Sequence, residues 1–235
     1  MNNKRSSISY FAAAFLLALL FSATSAVAGP PLLCHSFDIG NAKSLPWISH
    51  DWNLTGHETY NINNLTGDTI AILDTDSAVL VHMETLRRAT LYSQLDPQAA
   101  KHLLIKLMAR SDAAAPNSAA SALALFDLGY FAESLNQFHW IHKDAPNLAQ
   151  GLEGFALVNK AIQLGGSNPQ MEFAAAIVAL NVSPSGKGDY AQKAIAGAEN
   201  DPLLARNLSA RFHQAQSETM AEMISRTPTV KVAHQ

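Results

Sequence analysis

The residue types best suited to chemistry crowd the front of the chain, as Cys34-His35, His50-Asp51 and His57-Glu58. One thiolate and three imidazoles, from Cys34, His35, His50 and His57, form a donor set that can bind a metal tetrahedrally. Their spacing follows no standard ligand motif. Cys34-His35 lacks the first cysteine of a C-x-x-C-H haem attachment. The same residues also allow a Cys34 nucleophile activated by a neighbouring base. The sequence favours the plainer reading, with Cys34 as a small apolar residue and the histidines as polar neighbours of helices.

A second group lies at His139, Trp140 and His142, with Asp144 nearby. Two imidazoles three residues apart share one helix face and can ligate a metal. No third ligand has a defined position, so this face reads instead as a weak partner-binding surface. Trp47, Trp52, Phe131 and Phe138 add aromatic area of the kind that dominates recognition surfaces. For the two phenylalanines core packing is the stronger expectation, and Trp47 and Trp52 are expected to pin the front of the chain onto the rest. His57-Glu58 begins like a zinc-protease helix, but Asn61 stands where the second histidine belongs. G-x-S-x-G, a phosphate-binding glycine loop and a dinucleotide fingerprint are all missing. Ser185-Gly186-Lys187-Gly188 reads as a turn. No catalytic residue and no cofactor is assigned.

The elements that must position these groups begin with a leader. Lys4 and Arg5 precede an apolar run from Tyr10 to Phe21, and small residues end in Ser25-Ala26-Val27-Ala28. This is the order of a cleavable signal peptide, residues 1–28, and the run is shorter than the roughly 20 residues a membrane span needs. The expectation is an exported chain, periplasmic or extracellular, with no membrane span after cleavage. Leu33 before Cys34 argues against a lipoprotein. Cys34 is the only cysteine, so packing rather than an internal disulfide must stabilise the fold. A net charge of −3 with 15% charged residues lacks the basic footprint of a nucleic-acid binder. Four N-x-[ST] sequons stand at Asn53, Asn64, Asn181 and Asn207. They carry weight only in a eukaryotic secretory route, with Pro184 weakening the third; the leader reads rather as bacterial, in which case they carry none.

Residues 29–65 are rich in turn formers and aromatics and read as an irregular segment packed on the domain. Gly67 to Leu73 holds a short apolar run that periodicity alone assigns to neither strand nor helix; the favoured reading is a short helix capped by Thr66. Asp76 and Ser77 are expected to cap the next, with Glu84 forming a surface ion pair with Arg87 and Arg88. Asp96-Pro97, Asn168-Pro169 and Asp201-Pro202 each place a capping side chain before a proline suited to the first helical position. A helix from Asn147 aligns Leu148, Leu152, Phe155, Val158 and Ile162 and ends at Gly165-Gly166. Met171 to Leu180 is apolar nearly all round and should be the buried centre. About eight helices are expected after Asp76, within a domain over 66–214 and followed by a frayed tail, 215–235. The fold class is all-α, built of antiparallel helical hairpins.

Gly129, Phe131, Ser134, Phe138, Ile141 and Pro146 stand at the spacing of a tetratricopeptide repeat's second helix, and Ala122 supplies the small packing residue before it. The unit Ser118 to Asn147 therefore resembles that family, which places its glycine at the turn between two helices. The resemblance implies a short array of stacked hairpins with a groove for a peptide or protein. The opening, Gly29 to Trp47, resembles the start of exported bacterial proteins with no activity attached. The functional expectation is thus a non-enzymatic scaffold binding a peptide, a protein or an envelope component. The alternative is a metal-binding protein or enzyme using Cys34, His35, His50 and His57.

Overall fold

The computed structural model describes residues 30–48, 52, 54–55, 57–75, 77–182 and 187–214. The leader, His50 and the tail beyond Gln214 lie outside them. The regular structure of the described residues is entirely helical, and the fold is all-α. The α-helices are α1 (Leu65–Leu73), α2 (Val79–Tyr92), α3 (Pro97–Ala113) and α4 (Ala119–Ile141). They continue as α5 (Gly154–Gly165), α6 (Pro169–Val182), α7 (Lys187–Gly197) and α8 (Pro202–Gln214). Short 3-10 turns, Ile62–Asn64 and Ala198–Asn200, lead into α1 and follow α7. The most extensive packing joins α4 to α5 and α6 to α7, and α4 also packs on α2 and α3.

The three Asx-Pro starts form as read. Asp96 accepts from the Gln98 amide at 2.8 Å, Asn168 from that of Gln170 at 3.0 Å, and Asp201 from that of Leu204 at 3.0 Å. Each cap satisfies an amide that has no partner inside its own helix. Other starts are decided from a distance. The first turn before α1 is capped by Asn61 rather than Thr66, and Leu65, fully buried, is already helical. Ser77 does not cap α2. Its Leu80 amide donates instead to Gln170 Oε1 on α6, at 2.9 Å. Asn147 starts no helix; the chain turns there, Gly151 takes φ +84°, and α5 begins at Gly154. Buried Glu133 of α4 accepts from the Phe155 amide at 2.9 Å, so a neighbouring helix supplies the cap bond that Glu153, the residue before α5, does not make.

Gly129 departs most from the expectation. The repeat resemblance puts a helix–helix turn there, yet α4 runs unbroken from Ala119 to Ile141, so seven helices follow Asp76 among the described residues. The glycine serves close approach. A Cβ at Gly129 would sit 2.7 Å from the Gly154 carbonyl oxygen, and one at Gly154 would sit 2.5 Å from that of Gly129. Facing glycines bring α4 and α5 nearly backbone to backbone.

The core draws on Leu80, Met83 and Leu86 of α2, Leu103 and Leu107 of α3, Phe126 and Phe131 of α4, and Phe173 and Val178 of α6. α6 is buried over most of its length, in line with its composition. α2 is buried almost throughout, polar residues included, so the Glu84–Arg87 pair expected at the surface lies in the interior. What covers it is the N-terminal strap, residues 30–48, whose Leu32, Leu33, Phe37 and Leu45 are core residues.

Candidate functional site

Among the described residues three regions gather polar groups: the clamp that holds the strap, a buried cluster around His82 and Asp127, and a cavity at the helix ends. The strap has no helix to satisfy its main chain, so its buried amides and carbonyls need partners from elsewhere. Arg87 Nε donates to the Leu33 carbonyl at 2.9 Å. Arg211 donates to the carbonyls of Pro31 and His35, both at 2.8 Å. Gln137 accepts the Leu32 amide and Glu84 the Phe37 amide, each at 2.9 Å. Tyr92 donates to the Pro46 carbonyl at 2.6 Å, and Arg88 to that of Leu45. Asn207 exchanges two hydrogen bonds with the Asp38 main chain. Glu84, fully buried, neutralises Arg87 at 3.1 Å and Arg88 at 2.8 Å.

This clamp fixes the fate of the sequence candidates. Cys34 is half-buried in the turn between the carbonyls that Arg87 and Arg211 hold. Burial pushes its thiol up, against the opposing pull of Arg87 and Arg211, which keeps the nucleophilic thiolate scarce. His35 beside it is held below its ordinary value by burial, then by Arg211 and Arg87. Burial also pulls down Arg211, to about 10, and Arg87, which Glu84 counteracts. The Tyr130 hydroxyl in the same charged neighbourhood is fully buried, bonded to nothing and held protonated by burial. His57 is turned to other work. Its ring stacks on Trp47 with centroids 4.0 Å apart, and its Nε2 accepts the Ile48 amide at 3.4 Å. Among the described residues no group of three or more His, Cys, Asp or Glu is placed to hold a metal. His50 lies outside the described residues.

His139, Trp140 and His142 close α4. His139 Nδ1 donates to the Ala145 carbonyl at 2.8 Å, which anchors the turn after the helix. The His142 ring lies on Phe138 with centroids 4.4 Å apart, and Trp140 is 48% exposed. Trp140 is thus the member of this trio that offers a free aromatic surface.

Sequence reasoning missed a buried relay. His82 Nδ1 lies 2.7 Å from Asp127 Oδ1, both fully buried. Arg110 meets Asp127 Oδ2 at 2.6 Å and reaches on to Asp74 at 3.0 Å. A carboxylate-oriented imidazole is the base half of a nucleophilic triad. Here Nε2 is sealed from solvent and bonded to nothing, which denies it to a substrate. The signal was present as a lone charge inside the apolar run Leu125-Phe126-Asp127-Leu128, since such a charge is buried only with a partner.

The cavity, of about 360 Å³, lies where α2, α4, α6 and the Asp201 cap of α8 begin and α5 ends. Small residues make the room: Ala78, Ala119, Ala122 and Gly165. Leu123, Pro169 and Met171 supply apolar wall; Asn168, Gln170 and Asp201 supply polarity. Gln170 is fixed on both sides, accepting from Leu80 and donating to Asp201 at 2.6 Å, so the polar wall is pre-formed. No helix among the described residues is long and apolar enough to cross a membrane. Compared with known proteins, the chain matches no family, no curated protein and no solved structure.

Proposed function

We propose that this chain is an exported, non-enzymatic helical scaffold whose cavity at the helix ends receives part of a peptide, a protein or an envelope component. The observation that carries the reading is the cavity: its volume falls in the range of ligand sites, and its wall is mostly apolar with a few fixed polar groups. Packed helix pairs, α4 with α5 and α6 with α7, support a repeat-like scaffold whose units would be those pairs. Export rests on the leader pattern of residues 1–28. Cys34, His35 and His57 support this reading too, because their surroundings belong to the clamp.

The test fills the cavity. Ala119 is exposed at its mouth, so Ala119→Trp blocks entry without disturbing the core. Wild type should capture a partner from an envelope extract, and Ala119→Trp, with unchanged circular dichroism, should lose it. A partner retained at full yield by the variant rules the cavity out. Capture of nothing by the wild type counts against the scaffold itself.

A further inference from the structure

We propose that the strap, residues 30–48, is an acid-sensitive latch: protonation of His35 and His57 sets two new cations among the arginines that hold it, and loosens it from the helices. The latch rests on the fold alone, whatever the cavity binds.

His57 is 4% exposed and its Nε2 accepts the Ile48 amide, a role an imidazolium cannot fill because both its nitrogens are donors. Its surroundings oppose the proton. Arg88 faces it from α2, and the Tyr92 ring of the same helix stands edge-on at 6.2 Å. The Arg87 guanidinium already lies 5.8 Å over the Trp47 ring on which His57 stacks. Glu58, its sequence neighbour, is the carboxylate that favours protonation. From α1, Asp68 is engaged by the Tyr60 hydroxyl at 2.8 Å. The His35 carbonyl accepts from Arg211 of α8 at 2.8 Å, and the charges of Arg211 and then Arg87 of α2 oppose a proton on its ring. The nearby Glu84 carboxylate is already shared by Arg87, Arg88 and the Phe37 amide.

Both rings are accordingly depressed below the ordinary 6.5, with burial as the first cause in each. The unfolded strap takes up the proton more readily than the docked one. Docking is therefore fully stable above about 6.5, and weakens as pH falls from there through the depressed values. His35 lies in the strap, His57 stacks on its Trp47, and neither histidine lies on a helix, so the effect is local.

Amide hydrogen exchange on the full chain at pH 7.5 and 5.5, corrected for intrinsic rates, reads the latch directly. Protection of residues 31–48 should fall at pH 5.5 by up to about ten-fold for each histidine, because 5.5 lies one unit below the ordinary 6.5, while α4 amides hold. A double variant, His57→Gln with His35→Asn, keeps polar groups that cannot charge, and its strap protection should not depend on pH. Equal strap protection at both pH values in the wild type overturns the proposal. So does equal loss in the double variant, or loosening of α4 in step with the strap. Should the double variant fail to fold, NMR titration of the wild-type imidazoles decides: both rings titrating below 6.5 sustains the latch, and both at or above it removes its basis.

Discussion

The clamp and the cavity invert the usual relation between reactive side chains and function. The clamp holds the thiol, arginines, a buried glutamate and neighbouring imidazoles, and its arginines and glutamate are spent on carbonyls and amides of an irregular strap. The cavity is lined by small residues, a few apolar side chains and the polar groups of helix starts, and it is an open space with a pre-formed polar wall. A strap without helical hydrogen bonds must borrow donors and acceptors from side chains. Charged groups buried for that purpose pair with one another to offset their desolvation. The difference teaches that density of titratable groups marks where main chain needs partners, while a binding surface can consist of small residues that leave room.

Four substitutions can break or sharpen that contrast. The largest effect belongs to Arg87→Met. It strips the Leu33 carbonyl of a donor and removes one of the two guanidiniums on Glu84, and should cost about 3–5 kcal/mol in urea unfolding. A loss under 1 kcal/mol would mean the clamp is ornamental. Next comes Gly129→Ala, whose new Cβ meets backbone across the α4–α5 contact; about 1–3 kcal/mol should be lost. No loss there would show that the two helices can part freely. Ala119→Trp should change stability by no more than about 0.5 kcal/mol while abolishing binding, so stability and capture separate at the cavity as they do not at the clamp.

Asp38→Asn probes the rim of the clamp. The Arg206 side chain at 2.6 Å, then the Gly40 amide, hold the Asp38 carboxyl below 3.8. Its contribution is present above that value and disappears as pH falls through the depressed one. Both side chains are about half exposed, so the substitution should cost roughly 0.2–1 kcal/mol at pH 7, less in high salt. Melting temperatures at pH 7 and pH 3 for wild type and variant would check the sign. A larger difference at pH 3 than at pH 7 would reverse it.

The parts legible in the sequence were those decided within a few residues. Asp96-Pro97, Asn168-Pro169 and Asp201-Pro202 start helices because cap, proline and first-turn amides are neighbours along the chain. The apolar cycle of Met171 to Leu180 announced a buried helix for the same reason. The clamp was half legible: Glu84, Arg87 and Arg88 pair at the predicted spacing, yet whether they face water depended on a strap roughly fifty residues earlier.

By itself the sequence determined the helical class, the three capped starts, the leader pattern and the shortage of cysteine. Tertiary structure alone decided that Gly129 is a crossing rather than a turn, and that Glu133 and Gln170 complete helices other than their own. It also decided that Cys34 and His35 lie in the strap, that His57 stacks on its Trp47, and that small residues from separate helix ends line a half-open cavity. The reason is that caps and periodicity are satisfied within one or two turns. Approach distance, burial of a charge and enclosure of a void are properties of pairs of elements that meet only after the chain has folded.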